Sequence, residues 1–534
     1  MRRAAILTAI LTLAASSTRA DALDEVFSAY AKPDRPGCAV GVARRGEAAV
    51  LRGYGQADLE HGAAITADTI FEAGSVSKQF TAAATLLLVQ DGKLALTDDI
   101  RKYLPEMPAY AAPITIDHLL SHTSGLRDWG EVAALSGWPR SSKAYTNEEA
   151  LEITARQTGL NYPVGTEWSY TNTGYNLLAV IVQRVSGQSL AAFTRDRLFT
   201  PLGMSRTAWR DDFRRVVPGR AIAYDPAASG WLQDMPFENV YGNGGLLTTV
   251  GDLLTWNEAL TSGKLGPEVT ARLQQQAVLT GGRKVEYARG LFVSSYHGLR
   301  EVSHDGATAG YRAWLGRYPD QGLSIALLCN AANVNSDAEA HKVADLYLPA
   351  AASEAASVAA AAGTMDAKEL ASRPGMYVQD GPFATVRVSA DAGQLRLQGG
   401  PVLTPTGQGR YRAGQSEVAF RANGDLERRT PDGRVAVFAH VEPAPPMAGD
   451  LAQLAGTYVS DEAAAIIKLS VKGDFLMMTP VGRPSASQLL SRMFKDGYGR
   501  PGSLLRVVRD KAGKVTGLRY SGSRVWDLRF RRVA

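Results

Sequence analysis

The first 350 residues carry short apolar runs at both ends and longer apolar stretches between them. Residues 37–53 predict two strands around a tight turn. Residues 301–330 predict three strands, broken at Gly306, at Gly310 and at residues 319–322. Strands at both ends with helices between them favour an α/β domain over residues 21–349. We expect a mainly antiparallel sheet flanked by helices.

The stretches between these strands have helical spacing. Residues 75–92 are rich in Ala and Leu, are apolar on nearly every side and end at Gly92. A helix without a polar face is buried, so this one is predicted to lie in the middle of the domain. Further helices are predicted over residues 115–121, 173–186 and 250–262.

The sequence changes character after residue 349. Residues 350–366 are dominated by alanine and predict a linker. Short alternating segments with turn residues fill the chain from residue 370 to residue 534, which predicts an all-β region. A helix is expected there only near residues 485–494.

A weak internal repeat divides this all-β region. Leu370–Val378 matches Leu451–Val459 at an offset of 81 residues. The repeat predicts two β-barrel or sandwich modules, at residues 367–442 and 450–534. A chance match over nine residues is the alternative.

The N-terminus has the pattern of a targeting segment. Arg2 and Arg3 precede an apolar run over residues 4–15, followed by small and polar residues. The run is shorter than the roughly 20 residues that span a bilayer. It predicts a cleaved secretory signal peptide over residues 1–20 and a periplasmic or secreted protein. An uncleaved anchor is the alternative.

The formal net charge of +5 is unevenly distributed. Residues 1–20 carry +3 and residues 451–534 carry +9, so the rest of the chain is mildly acidic. The total charge therefore gives no support to nucleic-acid binding. The basic second β-module is either an ordinary solvated surface or a contact for anionic cell-envelope material.

The candidate metal ligands are few. Cys38 and Cys329 both lie in apolar runs, so we expect two buried side chains, or a disulfide if their strands are neighbours. Two cysteines form neither a disulfide scaffold nor a cysteine-rich metal site. His118 and His122 stand four residues apart without an obvious acidic third ligand. We expect no metal and no cofactor.

Ser75 and Lys78 are candidate catalytic residues at the start of the predicted buried helix. Their spacing of three places both side chains on one face. Burial and the positive end of the helix dipole favour the neutral amine of Lys78, which can accept the serine proton. A helix cap followed by an ordinary lysine is the alternative.

Tyr170 and Asn172 precede another predicted helix. Residues two apart in an extended segment point the same way, so the phenol and the amide can serve one site. The phenol can relay a proton to a leaving group, and the amide can hold a substrate carbonyl and the lysine. An aromatic core residue beside a helix cap is the alternative.

His304 and Gly306 face one side of a predicted strand. A glycine there lets a substrate backbone lie close to the sheet. The backbone N–H groups of Ala307 and Ser75 can together form an oxyanion hole. A surface hairpin is the alternative.

The order and spacing of these motifs resemble one superfamily. Ser-x-x-Lys, Tyr-x-Asn and His-x-Gly follow one another as in the serine β-lactamases and penicillin-binding-protein-like enzymes. The resemblance is to the branch that holds class C β-lactamases, DD-carboxypeptidases, family VIII esterases and D-aminopeptidases (peptidase family S12). His122–Leu126, Gly242–Leu246 and Thr249–Leu253 fit the same branch. The resemblance covers roughly residues 24–347.

This resemblance implies a helical subdomain inserted beside the sheet, with the active site between the two. It also implies a role for each motif residue. Ser75 is the nucleophile, and Lys78 and Tyr170 form the general-base pair. Asn172 binds substrate and supports Lys78, and His304 occupies the electrophilic position of the third motif.

The third motif departs from the β-lactamase pattern. It is His-Asp-Gly where Lys-Thr-Gly is usual, and histidine is largely neutral near pH 7 whereas lysine is positive. This disfavours a β-lactamase or a carboxypeptidase that binds a substrate carboxylate. His-x-Gly followed by two β-modules resembles D-aminopeptidases, in which a loop of the last barrel reaches the cleft. Residues 497–502 are a candidate for that loop.

The sequence therefore predicts an exported serine hydrolase that forms an acyl-enzyme on an amide or ester. A D-aminopeptidase-like enzyme acting on D-amino-acid-containing peptides fits best. Alternatives are a family VIII-type carboxylesterase, a weak class C-like β-lactamase, and a non-catalytic peptidoglycan- or peptide-binding protein. The expected partner is a small molecule or short peptide and not a nucleic acid, and the oligomeric state is left open.

The charge of the second β-module generates a prediction. If it contacts anionic envelope material, binding of the protein to a purified anionic envelope polymer falls about tenfold or more between low and high salt, because salt screens exposed charges. Co-sedimentation measures it. Equal binding at both ionic strengths would exclude the envelope contact and favour the alternative, an ordinary solvated surface.

Overall fold

The computed structural model describes residues 21–349, residues 367–442 except 380, 392, 408 and 432, and residues 451–533. The signal peptide predicted over residues 1–20 and the linker predicted over residues 350–366 lie outside these ranges.

A six-stranded sheet forms the centre of the first domain, and all its neighbouring strands are antiparallel. The predicted α/β class is therefore confirmed. Gly306 lies inside one strand and does not break it, because pairing with Ala313 continues the ladder through this position. In spatial order the strands are Phe292–Tyr296, Leu299–Thr308, Tyr311–Tyr318, Leu323–Cys329, Cys38–Arg44 and Val50–Tyr54.

Both faces of this sheet are covered, which explains the continuous apolar runs of its strands. Ala326 and Leu328 pack into the core shared with the helix Val250–Ser262. Ile325 and Leu327 point the other way, into the core shared with the helix Ser336–Tyr347. Alternate side chains of one strand thus enter two different apolar cores.

The helices lie on both sides of the sheet and in a helical region beside it. The predicted buried helix is Lys78–Gln90, which follows a single 3-10 turn at Gly74–Ser77 and packs against Asn172–Ser186. Further α-helices include residues 21–26, Ile116–Leu120, Trp129–Leu135, Asn147–Ala155, Leu190–Thr194, Thr200–Leu202, Val250–Ser262, Pro267–Leu273, Ser336–Tyr347 and Ala367–Ser372.

Two consecutive helices, taken together, are as long and as apolar as a membrane-spanning segment. Among the described residues, no single helix is long and apolar enough to cross a bilayer. The pair Asn172–Ser186 and Leu190–Leu202 meets the criteria of length and composition only when joined, and it bends by 77°. Most residues of its first helix are buried in the domain core.

Seven short strands of the first domain lie outside the central sheet. They pair as three small sheets, and the central one joins the segment before Ser75 to the segment after Asn243. Their bounds are Gln56–Asp58, Ala63–Ala64, Phe71–Glu72, Ala208–Trp209, Tyr224–Ala227, Gly230–Gln233 and Leu246–Thr248.

The first β-module is an eight-stranded antiparallel sheet. Its strands are Gly375–Gln379, Thr385–Asp391, Gln394–Leu397, Thr404–Gly407, Arg410–Ala413, Ser416–Phe420, Leu426–Arg429 and Val435–Val441.

The second β-module, here called the C-terminal barrel, is a closed eight-stranded barrel. The helix predicted near residues 485–494 is wrong: Gln488–Phe494 is a strand, since it pairs with Phe475–Pro480 on one side and with Gly497–Arg500 on the other. The other strands are Gly456–Ser460, Ala465–Lys472, Ser503–Arg509, Val515–Ser521 and Leu528–Arg532.

The C-terminal barrel is docked onto the helical region of the first domain. Trp129 and Val132 of the helix Trp129–Leu135 belong to the same apolar cluster as Leu454 and Val525 of the barrel. The buried Arg127 guanidinium lies 3.1 Å from a carboxylate oxygen of Glu462. The barrel is therefore in direct contact with the helical region.

A disulfide joins two strands of the central sheet. Cys38 and Cys329 are directly opposite each other in an antiparallel pair, and both are fully buried. The two cysteines are 291 residues apart in the sequence, so the bond links the first strand of the sheet along the chain to the last one along the chain.

Removing this crosslink should destabilise the first domain. Replacing both cysteines (Cys38→Ala with Cys329→Ala) is expected to lower its free energy of unfolding by about 2–4 kcal/mol, because the unfolded chain regains the freedom that the long loop had lost. Denaturant titration followed by tryptophan fluorescence measures the change. If the wild-type protein, denatured without a reductant, showed two reactive thiols, the disulfide would be absent and the prediction would be contradicted.

Candidate active site

The turn before the buried helix touches the strand Leu299–Thr308, which carries His304. Gly74 has φ +51°, and a Cβ there would lie 2.6 Å from the backbone nitrogen of Ala307. A Cβ on Gly306 would lie 2.1 Å from the carbonyl oxygen of Ala73. Two glycines therefore allow a backbone-to-backbone approach that no larger residue permits.

This contact corrects one expectation from the sequence. Gly306 was predicted to admit a substrate backbone, but the space beside its Cα is filled by Ala73 and by the backbone nitrogen of Ser75. The glycine instead brings Ser75 next to Ala307. Both Ser75 and Ala307 line the same cleft.

Lys78 is fully buried and has three polar neighbours. Its Nζ lies 3.0 Å from Ser75 Oγ, 3.0 Å from Asn172 Oδ1 and 2.7 Å from the carbonyl oxygen of Asn243. The structure thus brings Asn172, from a separate segment, to the Ser75–Lys78 pair that the sequence had placed on one turn.

Burial lowers the pKa of Lys78 well below its usual value, and the positive charges of Arg524 and Arg140 lower it further. The carboxylates of Asp128 and Asp305 act in the opposite direction. Since desolvation is the largest cause, the neutral amine is the favoured form in this site.

The groups around Lys78 are themselves held in place. The backbone N–H of Asn172 donates to Asp128 Oδ2 at 2.9 Å. Asn176, one turn further along the same helix, donates to Asn243 Oδ1 at 2.7 Å. The two carbonyl acceptors of Lys78 therefore occupy fixed positions.

The Tyr170 ring lies beside Lys78, with Nζ 4.8 Å from the ring centroid. Burial raises the pKa of Tyr170, while the neighbouring Ser75 hydroxyl and the charge of Arg524 oppose the rise. The phenol is therefore protonated near neutral pH and available as a proton donor.

The two histidines that were weighed as metal ligands have other partners. His118 accepts the backbone N–H of Thr115 through Nδ1, within a helix-capping pair. His122 is fully buried, with its ring centroid 4.4 Å from that of Tyr170. The pKa of His122 is lowered well below its usual value by burial first and by the charge of Lys78 second.

His304 lies behind Tyr170 and not on the wall of the cleft. Its side chain is 1% exposed, and its ring centroid is 6.0 Å from that of Tyr170. Nε2 is 3.2 Å from the Tyr287 hydroxyl. Burial lowers the pKa of His304 to about 4, so its ring is neutral at pH 7.

The cleft that contains Ser75 has a volume of about 680 Å³. Its wall combines aromatic, cationic and anionic side chains. They include Trp168, Tyr170, Phe292, Arg140, Arg524, Asp234 and Asp305.

Two ion pairs, one buried and one partly exposed, support one side of this cleft. Arg210 Nε donates to Glu72 Oε2 at 2.8 Å, and both side chains are almost completely buried. Arg140 pairs with Glu238 through two contacts. These pairs lie in segments without a recognisable motif, so the sequence did not indicate them.

Arg524 comes from the C-terminal barrel, on the turn between its last two strands. Glu131 accepts from the backbone N–H of Arg524 at 3.0 Å, and Asn161 Nδ2 donates to the carbonyl oxygen of Arg524 at 3.0 Å. Asn161 Oδ1 also accepts from the N–H of Trp526 at 2.7 Å. The loop is thus fastened to the first domain on both sides of Arg524.

The candidate loop at residues 497–502 is therefore wrong. Gly497–Arg500 is a strand of the barrel wall with three buried positions, and it does not line the cleft. Arg524, on the turn after Val515–Ser521, reaches the cleft instead. An arginine among the many of a basic module carries no local signal that distinguishes it, so sequence reasoning missed Arg524.

Comparisons with known proteins place the chain in a family. The Beta-lactamase family matches residues 23–348, so the chain belongs to that family. A D-aminopeptidase of Gluconobacter oxydans (strain 621H) is 27% identical over 531 residues, covering 93% of this chain and 96% of that protein.

Solved structures show the same fold. The D-amino acid amidase from Ochrobactrum anthropi SV3, complexed with L-phenylalanine amide, is 24% identical, covers 62% of this chain and 98% of its own, and has a TM-score of 0.54. The octameric penicillin-binding protein homologue from Pyrococcus abyssi is 19% identical, with 96% and 99% coverage and a TM-score of 0.54. With these relatives, the prediction that the protein is a serine hydrolase is confirmed.

The environment of Lys78 generates a prediction that does not depend on activity. In a ¹³C NMR titration of the lysine Cε signals, with Lys78→Met for assignment, Lys78 is expected to titrate well below 10.5. Arg524→Met should raise this pKa, because removing a nearby positive charge makes protonation easier.

Arg529→Met is the matched control, since it removes a charge from the same barrel at a side chain that is 78% exposed. It should leave the titration of Lys78 unchanged. A Lys78 that titrates at its ordinary value would refute the assignment of a neutral amine.

Proposed function

We propose that the protein is an exported, D-aminopeptidase-like serine hydrolase that works through an acyl-enzyme on Ser75. The observation that carries the proposal is the 3.0 Å contact between Lys78 Nζ and Ser75 Oγ inside a buried site. A serine hydroxyl becomes a useful nucleophile when a base lies within hydrogen-bond reach.

The hydrogen-bond inventory of Lys78 fits the role of base. A neutral amine has two N–H groups and one lone pair. Asn172 Oδ1 and the Asn243 carbonyl accept the two N–H groups, which leaves the lone pair for the Ser75 hydroxyl. Lys78 can therefore take the proton of Ser75 as Oγ attacks the substrate carbonyl carbon.

The remaining groups are assigned to the later events of the acylation step. The backbone N–H groups of Ser75 and Ala307 stabilise the negative charge on the carbonyl oxygen. Tyr170 donates its phenolic proton to the leaving nitrogen or oxygen and regains a proton from Lys78. Asn172 keeps Lys78 oriented, and His304 supports the aromatic wall behind Tyr170.

The acyl-enzyme is resolved by water. A water molecule adds to the ester carbon and loses a proton to the same base pair. The bond from carbon to Ser75 Oγ then breaks, and Ser75 recovers its proton. The products are a carboxylic acid and the amine or alcohol released in the first half-reaction.

Three features favour an aminopeptidase within this class. The related D-aminopeptidase covers the β-modules as well as the hydrolase domain. Asp234 and Asp305 line the cleft, where they can pair with the free α-ammonium group of a substrate. His304, being neutral, supplies no fixed cation for a carboxylate at the third motif.

Export and envelope contact complete the proposal. The N-terminal pattern of residues 1–20 supports a periplasmic or secreted enzyme. The net charge of +9 over residues 451–534 supports attraction of the C-terminal barrel to anionic envelope material.

A chromogenic panel tests the function. We expect D-Ala-p-nitroanilide to be hydrolysed with a higher kcat/KM than p-nitrophenyl butyrate or nitrocefin. Ser75→Ala should lower kcat by about a thousandfold or more, because the nucleophile and its base act as one unit. A fluorophosphonate probe should label the native protein at Ser75.

Ser262→Ala, at an exposed helix end, is the control and should retain activity. Preference for the butyrate ester would favour the esterase, and preference for nitrocefin would favour the β-lactamase. Binding of peptide without turnover of any panel member would overturn the enzymatic proposal.

A further inference from the structure

A second cavity, of about 520 Å³, lies where the first domain meets both β-modules. The first domain contributes Trp168 and Tyr170, the first β-module contributes Arg428 and Arg434, and the C-terminal barrel contributes Arg524 and Trp526. None of the described residues that line it is an aspartate or glutamate. We call it the arginine cavity.

The arginine cavity adjoins the catalytic cleft. Trp168, Tyr170 and Arg524 line both, whereas Ser75 and Ala307 line only the cleft. In the proposed mechanism Tyr170 hands a proton to the departing atom. The arginine cavity therefore lies on the side of the leaving group and away from the oxyanion hole.

Two arginines of this cavity, Arg428 and Arg524, have charge available for a ligand. Arg428 donates from Nε and Nη2 to the neutral hydroxyl of Ser416, at 3.2 Å each. Arg524 has a carboxylate oxygen of Asp128 at 3.8 Å and places its guanidinium 5.1 Å from the centre of the Tyr170 ring. Neither contact is a close pairing with a carboxylate.

The aromatic part of the wall adds a donor. The indole N–H of Trp168 is buried and has no acceptor among the described residues. A buried donor without a partner is costly, and an oxygen atom of a ligand can satisfy it. Guanidinium groups and an indole N–H are together suited to anions and not to cations.

We propose that the arginine cavity binds an anionic group on the part of the substrate that is released, so that the enzyme prefers leaving portions that carry a carboxylate. This inference rests on the proposed function, since it assigns the arginine cavity to the leaving-group side of the bond that is cleaved when Ser75 attacks. The cleft would then recognise a positive amino end near Asp305 and a negative leaving end near Arg524.

Three peptides of equal length test the preference. D-Ala-Gly-Glu-amide and D-Ala-Gly-Gln-amide differ by one carboxylate, and D-Ala-Gly-phosphoserine-amide presents a phosphate. With release of D-alanine as the readout, kcat/KM for the Glu peptide should exceed that for the Gln peptide about tenfold, chiefly through KM, as a charge-assisted hydrogen bond provides. A higher value for the phosphoserine peptide would identify phosphate as the preferred anion.

Variants locate the preference. Arg428→Gln and Arg434→Gln should each reduce the Glu/Gln ratio to about 1–3, while Arg428→Lys, which keeps the charge, should retain most of it. Arg412→Gln is the matched control, because Arg412 is exposed on the same module and outside the cavity. It should keep the native ratio.

Binding to the Ser75→Ala protein, measured by calorimetry, separates this inference from the catalytic proposal. Tighter binding of the Glu peptide than of the Gln peptide supports an anion site in the arginine cavity. If the native protein cleaves neither peptide, the proposed function is contradicted while this inference still holds. Equal binding and equal turnover of the Glu and Gln peptides would overturn the inference. An equal loss of the ratio in Arg412→Gln would also overturn it, since general charge would then be the cause.

Discussion

The candidate active site depends on the burial of the Lys78 side chain, which is out of contact with solvent. An ammonium group in a buried position is costly unless it is paired, and the groups that contact Nζ are a hydroxyl and two carbonyl oxygens. The neutral amine is therefore the stable form. To supply two acceptors, the chain must bring the helix that begins at Asn172 and the turn at Asn243 to the same atom. The helical region is positioned around that requirement.

The same requirement links the C-terminal barrel to the chemistry. Arg524 approaches from the barrel, lowers the pKa of Lys78 and lines both the cleft and the arginine cavity. Its loop is held by Glu131 and Asn161, whose hydrogen bonds fix the backbone on both sides of the arginine. A module that is remote in sequence thus contributes to the electrostatics of the base and to the charge of the leaving-group side.

Local patterns predicted most elements of the first domain, because strands with two buried faces and a helix with no polar face are visible in composition alone. The fold class and the grouping of Ser75, Lys78, Tyr170 and Asn172 followed from motif order. Prediction failed where contacts with distant segments decide the local structure. Gln488–Phe494 is apolar enough for a helix and becomes a strand only because neighbouring strands satisfy its backbone. Gly306 faces the Ser75 turn, a contact that strand alternation cannot reveal.

The sequence by itself determined the class of enzyme, the nucleophile–lysine spacing within one helical turn, and the presence of two further β-modules. Spacing within a turn is a local property of the backbone, so it needs no knowledge of the fold. Only the tertiary structure decided which barrel loop enters the cleft, that His304 lies behind Tyr170, and that arginines from two modules meet at one cavity. Those features arise from contacts between segments separated by hundreds of residues, and the packing of the modules against each other sets them.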